Sequence, residues 1–367
     1  MNTQVWIQEI ESRLGTTLLE SARQTDADDS FPFILVDEII HDPYFVDLVS
    51  QIDRNHTLKE FNQLIKQISE VFPALASILL TQAAYGVYPI LRFGTDSQRD
   101  TYLADLIQGK RLGAVAHSEE AGGSDIEQLT TTVVETEGGW ILNGHKAYVS
   151  NGQEAHLFYV TAKKADANHS LQRGVFVVNR DLEGVTVHPA KKKVGIRAMS
   201  VTELTFENVF LSEESLLGGV YQGETQSKEI MDRIKLSIVA QAIGLTASSI
   251  KKGIDYLSLD RKIGTRLIEM PDYQQIIAHL ISRYEAIQAL YDNTVSQRTI
   301  DRDAIAMLKL LTSELATQST EQIIHMSGGF GFMRQNDLER LARDARATAI
   351  YGGSMATQSK IIAKKWL

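Results

Sequence analysis

Residues 130–152 read TTTVVETEGGWILNGHKAYVSNG. Apolar and polar residues alternate on both sides of Glu137-Gly138-Gly139, which is the pattern of two strands joined by a tight turn. The same turn chemistry predicts further turns at Asn143-Gly144 and Asn151-Gly152. Shorter pieces of like texture follow: HLFYVTAKK from His156, GVFVVNR from Gly174, GVTVHPA from Gly184 and VTELTFENVFL from Val201. Short strands at such close spacing predict a small antiparallel barrel or sandwich.

On either side of this β unit the period changes. In HTLKEFNQLIKQISEVF the apolar residues Leu58, Phe61, Leu64, Ile65, Ile68 and Phe72 recur at the three-and-four spacing of one helix face. FPALASILLTQAAYGVYPILRF is apolar nearly all round, which predicts a buried helix. TDSQRDTYLADLIQGKRL carries a capping signal at Thr95 or Asp96 and a stop near Gly109. After about residue 224 helical periodicity returns. One long helix begins at Pro271, and another closes at Ser327-Gly328-Gly329. The expected fold class is therefore α+β in three parts: an N-terminal helical domain over 1–112, a middle β domain over 113–222 and a C-terminal helical bundle over 223–367.

Composition narrows the function. A net charge of −9 argues against nucleic acid as a partner, since that requires a cationic surface. The absence of cysteine excludes disulfides, thiolate metal sites and thiol nucleophiles. The first residues, MNTQVWIQEIESRL, lack the pattern of a secretory signal. No stretch approaches the roughly 18 apolar residues of a membrane span. The expectation is a cytoplasmic protein with no membrane partner.

Four segments carry the chemistry: GAVAHSEEAGGSD (113–125), NGHKAYVSNG (143–152), KKVGIRAMSVTELTFENVFLSEESLLG (192–218), and GGFGF (328–332) followed by RDARATAIYGGS (343–354). In this order and spacing they resemble the acyl-CoA dehydrogenase family of flavoproteins, over residues 90–367. The resemblance implies a helical domain, a β domain and a four-helix bundle, with FAD between the last two and FMN as the alternative. It also implies assembly as a homotetramer or homodimer. The substrate would be an acyl group on coenzyme A or on a carrier protein, and electrons would pass to a partner flavoprotein or to oxygen.

By the same resemblance Ser118 would lie near the flavin ring, and Gly123 and Ser124 near the pyrophosphate. Tyr148 would cover the ring and Ser150 would stand near its N5 atom. Gly328, Gly329 and Ser354 would complete the cofactor contacts. The arginine that usually meets a neighbouring subunit's pyrophosphate falls in register at Asp260, with Arg261 next to it.

The catalytic base is the departure. One branch of the family carries a glutamate in Y-E-G-T, where this chain has Gly352. Another reads Y-G-G-T and carries its glutamate on an earlier helix, where this chain has Ile234 followed by Lys235. Asp232 is the candidate base. It lies about 200° round a continuous helix from Ile234, and it would reach the pocket only if the helix began late. Glu229 and His117 are weaker candidates. Two other readings stay open: a flavin-dependent monooxygenase, which needs no α-base, and a non-catalytic homologue kept for assembly or acyl binding.

Overall fold

The computed structural model describes residues 3–120, 129–165, 172–260, 264–297 and 299–367. Helices α1 (Thr3–Leu14), α2 (Leu18–Asp28), α3 (Phe33–Ile40), α4 (Pro43–Ser50) and α5 (Asn55–Ser69) lead to α6, Pro73–Phe93. On α5 the stripe Leu58, Phe61, Leu64, Ile65 and Ile68 is buried, as its spacing predicts. Helix α6 is long and apolar enough to cross a membrane, which corrects the expectation that no such stretch exists. It is buried inside the protein, and it starts with Pro73 at its first turn.

Within α6 the turn Gln82–Val87 widens to π-helical geometry. Gln82 there donates to the Leu106 and Arg111 carbonyls (2.9 and 3.1 Å) and accepts from the Gly113 amide (3.1 Å). One buried amide thus ties α6 to the entry of the β unit. Gly113 is needed at that entry, because a Cβ there would lie 2.7 Å from the Gly86 Cα. Thr95 and Gln98 form a capping box at the start of α7, residues 96–107, and Gly109 (φ +69°) turns the chain after it.

The β unit is one seven-stranded sheet: β1 Gly113–Ala116, β2 Thr132–Thr136, β3 Gly139–Ser150, β4 Leu157–Lys164, β5 Arg173–Asn179, β6 Val185–Val187 and β7 Val201–Ser212. The order is β1-β4-β2-β3-β7-β6, with β5 also on β4. The sheet is mixed, not antiparallel throughout, because β1 and β2 both run parallel to β4. Strand β4 is buried on both faces. Phe158 and Val160 enter the sheet's own core, whereas Leu157 and Tyr159 join the core of the helices.

The turn expected at Asn143-Gly144 is instead a bulge inside β3, where the register against β7 shifts between Leu142 and Gly144. The two asparagine side chains pair across the strands: Asn143 Nδ2 donates to Asn208 Oδ1 (3.2 Å), and the Asn208 amide donates to Asn143 Oδ1 (2.8 Å). Gly144 is required because a Cβ would stand 2.7 Å from the Thr131 Cα.

The C-terminal part packs α8 (Gly223–Leu257), α9 (Pro271–Val295), α10 (Arg302–Ser327) and α11 (Leu338–Thr348) as a bundle, with α12 (Met355–Trp366) against α10. Ion pairs join the three parts. From α2, Arg23 meets Asp337 (2.7 Å), Asp26 takes both Arg343 Nη atoms (2.8 and 2.7 Å), and Asp29 at its C-cap accepts from Arg197 of the β unit (2.6 Å). The buried Asp344 of α11 accepts the Ile196 amide (2.6 Å).

Candidate flavin and acyl site

The site grows from the end of β3. Between Lys146 and Val149 the register against β7 shifts again, so Ala147 and Tyr148 together face Glu203 alone. This second bulge puts Tyr148 at φ +58° and leaves the residue 59% exposed. A non-glycine residue in that region is strained, and it is held there by its surroundings. Lys191 lies over the ring at 5.8 Å and pairs with Glu203 opposite the bulge (2.5 Å).

Upstream, the Ala147 amide donates to the Ser118 carbonyl (2.9 Å), so Ser118 lies alongside β3. Next to Ser118, the carboxylate of Glu119 is paired with the fully buried Lys146 (2.8 Å). Burial alone would push the Glu119 carboxyl up, but Lys146 and donors from Thr130 and Thr131 hold it down to about 2. Burial pulls the Lys146 ammonium down to about 8 against the opposing pull of Glu119, so the pair is charged at neutral pH.

Ser150 ends β3 opposite Val201. Asn151 follows, buried and at φ +54°. Its Nδ2 donates to the Ile78 carbonyl of α6 (3.1 Å). The preceding residue on α6, Ser77, has its Oγ 3.3 Å from the Tyr351 hydroxyl. Two adjacent residues of α6 therefore join the end of β3 to the turn that carries Gly352 and Gly353.

That turn is held from three helices. The Tyr351 hydroxyl donates to Gln241 of α8, whose Nε2 donates to Ser77 Oγ and to the Pro73 carbonyl (both 2.7 Å). Lys309 of α10, fully buried, donates to the Thr348 carbonyl at the end of α11 and to Ser313 Oγ (3.4 Å). Burial, and secondarily Lys235, pull its ammonium down to about 7. Gly352 (φ +68°) and Gly353 (φ +98°) lie in the left-handed region that favours glycine. Ser354 then caps α12, accepting the Thr357 amide (3.4 Å).

A Cβ on Gly352 would lie 2.5 Å from Ile238 Cδ1 and 3.9 Å from Ile234 Cγ2. The two positions where the resemblance puts a base thus face one spot, and it is lined by isoleucine. One turn before Ile234 on α8, Met231 accepts a bond from the Tyr85 hydroxyl of the π-turn (3.2 Å). Burial pushes the Tyr85 hydroxyl up, with Tyr351 adding to it.

Helix α8 begins at Gly223, so Asp232 lies well inside it and not in its first turn. Its carboxylate meets Lys235 Nζ (2.8 Å) and Arg302 Nε (3.4 Å). Lys235 is buried, and its Cε is 3.9 Å from where a Cβ on Gly353 would stand. Because α8 is continuous through Asp232, the late helix start that would have turned Asp232 into the pocket does not occur, and it is Lys235 that lies beside the glycine turn. Glu229 bonds Tyr88 (2.8 Å) and Arg92 (2.7 Å).

Gly328 (φ +55°) ends α10, and neither it nor Gly329 has an atom within 4 Å of where a Cβ would be. Phe330 stacks on Tyr256 of α8 (4.3 Å, 25°), which sets this turn beside the last turn of α8. Gly123, Ser124 and Arg261 lie outside the described residues. Sequence reasoning missed Ser77, Asn151 and Gln241. Asn151 lies in the turn that Asn151-Gly152 predicts, but its side-chain bond to Ile78 carries no local signal, and neither do Ser77 and Gln241.

Family models match three stretches of the chain: acyl-CoA dehydrogenase N-terminal domain over residues 57–110, middle domain over 114–209 and C-terminal domain over 222–367. The chain is 29% identical over 303 residues to an acyl-CoA dehydrogenase of Bacillus subtilis, covering 82% of this chain and 80% of that protein. It is 30% identical over 279 residues to the mitochondrial short-chain specific acyl-CoA dehydrogenase of Sus scrofa, covering 75% of this chain and 68% of that one. Among solved structures it resembles the FAD complex of PigA, with a TM-score of 0.89 at 23% identity, over 100% of this chain and 98% of the other.

Proposed function

The chain belongs to the acyl-CoA dehydrogenase family of enzymes, and from that premise we propose that it is an FAD-dependent oxidoreductase acting on a compact acyl thioester. The observation that carries this reading is the link through Ser77 and Ile78, which sets the Tyr148–Ser150 edge beside the Gly352-Gly353 turn.

The residues fit a flat cofactor. Tyr148 is 59% exposed and bare glycine backbone is offered at Gly352-Gly353, whereas the Gly328-Gly329 turn stands apart, beside Tyr256 at the far end of α8. When bound, FAD supplies the acceptor for a hydride from the substrate β-carbon. Ser118 and Ser150 would hold the ring edge, Tyr148 would cover its face, and Ser354 would offer a hydroxyl at the start of α12.

The acyl group would lie between α6 and α8, beside Ile234 and Ile238. Tyr85, Met231 and Tyr351 crowd that space, which favours a short chain. Lys235 would add positive charge beside the carbonyl, where negative charge develops as the α-proton leaves. Asp232, inside α8 and paired with Lys235 and Arg302, would hold Lys235 in that place and would not itself take the α-proton. Coenzyme A or a carrier protein would present the acyl group, and electrons would leave to a partner flavoprotein or to oxygen.

A second reading, a monooxygenase of the same fold using FAD or FMN, is favoured by one observation: both usual base positions meet in an isoleucine-lined spot. Cofactor release and identification test the two readings together, followed by anaerobic titration with butyryl-CoA, octanoyl-CoA and a carrier-bound acyl group. Bound FAD that bleaches with the short acyl group, and more slowly after Asp232→Asn or Lys235→Met, is the expected result. A colourless protein that cannot be reconstituted would overturn both. FAD that bleaches equally after both substitutions removes Lys235 and Asp232 from the site.

A further inference from the structure

The buried pair Glu119–Lys146 makes its polar contacts with His117, Thr130 and Thr131, away from the glycine turn. Lys146 is fully buried and is the last residue paired with β7 before the bulge that turns Tyr148 outward. Its ammonium donates to Glu119 Oε1 (2.8 Å) and to the His117 carbonyl (3.3 Å). Glu119 Oε2 accepts from the Thr130 amide (2.6 Å) and hydroxyl (2.5 Å), and Oε1 also accepts from the Thr131 amide (3.0 Å). With the Ala147–Ser118 bond, residues 117–119 are fastened to 146–147 at three points.

On the far side of the bulge the strand is fixed again. The Asn151 amide donates to the Ser200 carbonyl (2.9 Å), and Asn151 Nδ2 reaches Ile78. A β-bulge aims a side chain only as firmly as the ladder on both sides holds it. A tyrosine at positive φ returns to ordinary geometry once one side is released.

We propose that Glu119 and Lys146 are positioning residues for the flavin site, holding the bulge that presents Tyr148 and keeping Ser118 in register with Ser150. The functional half of this inference rests on the FAD reading above; the structural half does not. A charged pair suits the task because each of its partners is fixed in direction. The carboxylate takes three donors from one segment, and the ammonium joins that segment to the strand.

The test uses the full chain and the variants Lys146→Met, Glu119→Gln, Tyr148→Ala and the double variant Lys146→Met/Tyr148→Ala. In flavin-free protein, amide hydrogen exchange over residues 147–149 is expected to quicken in Lys146→Met and in Glu119→Gln. Unchanged exchange there would overturn the inference whether or not the protein takes up FAD. In reconstituted protein, Lys146→Met is expected to weaken FAD binding at least about tenfold and to change the visible circular dichroism of the bound flavin. The Tyr148→Ala background should remove most of that loss. Losses that simply add in the double variant would show that Lys146 does not act through Tyr148. Should Lys146→Met fail to fold, Glu119→Gln and Glu119→Gln/Tyr148→Ala carry the same comparison. Failure of wild-type protein to bind FAD, with exchange altered as expected, would instead remove the cofactor reading and leave the positioning of the bulge standing.

Discussion

At the spot shared by Gly352, Ile234 and Ile238, a carboxylate can be installed from one side only. Gly352→Glu asks for a side chain at φ +68°, with its Cβ 2.5 Å from Ile238. Overpacking and backbone strain together should cost about 3 kcal/mol. Ile234→Glu leaves the backbone as it is and aims a carboxyl at the same spot, where burial will raise its pKa. If an acyl thioester binds there, Ile234→Glu should speed exchange of its α-deuterium at least about tenfold, and Gly352→Glu should not. Isotope exchange followed by mass spectrometry reads both.

Glu119 gives a pH signature at the same scale. Its carboxyl is held down to about 2 from an ordinary 4.5, so the stability it contributes is present above 4.5 and fades as pH falls toward 2. The difference in unfolding free energy between wild type and Glu119→Gln should therefore be largest near neutrality and shrink below pH 4.5. Urea titrations at several pH values would measure it.

Single residues were legible where chemistry demands a residue type beside a motif. Tyr148 and Ser150 end a recognisable strand, and Gly352-Gly353 interrupts a recognisable helix pair. Ser77 and Gln241 were not legible, because their partners lie more than a hundred residues away and a serine or glutamine in a buried helix has no distinctive pattern. Sequence alone leaves the direction of Asp232 open, because it depends on where α8 begins, and helix starts are weakly signalled when no capping side chain is present.

Among the elements, β3 shows what alternation can and cannot convey. The period of two marked its apolar positions, and Leu142 and Val149 are buried as expected. Asn143-Gly144 carries the chemistry of a turn and also of a bulge. The choice is made by Asn208 on β7, which pairs with Asn143 across the sheet. Parallel pairing of β1 and β2 with β4 was equally hidden, since strand direction leaves no mark on local composition. Gly144→Ala tests the bulge: a Cβ 2.7 Å from the Thr131 Cα should cost about 2 kcal/mol or more. It should also disturb Thr131, whose amide bonds Glu119. Thermal unfolding of Gly144→Ala against Gly329→Ala gives the comparison, because nothing lies within 4 Å of a Cβ on Gly329 and its φ is not positive.

For the whole molecule, the helix–sheet–helix order was readable from periodicity, whereas the ion pairs that hold α2 to α11 and to the β unit were not. Arg343 bonds Asp26, Glu339 and the Val194 carbonyl at once, and its side chain and that of Asp26 are largely buried. Arg343→Met should lower stability by about 3 kcal/mol, and Asp26→Asn should account for much of the same loss. A double-mutant cycle in urea measures the coupling, and purely additive losses would show that the two residues act independently.

The bond between Arg23 and Asp337 spans 314 residues. At roughly 5–20 residues per second of synthesis, α2 waits on the order of half a minute for α11 to leave the ribosome. During that interval Arg23 and Asp26 wait for their partners, although Asp29 can meet Arg197 once the β unit has emerged. The newborn α2 is thus exposed to chaperones and proteases for most of translation, and a pause anywhere between the codons of α2 and those of α11 lengthens that exposure by its own duration.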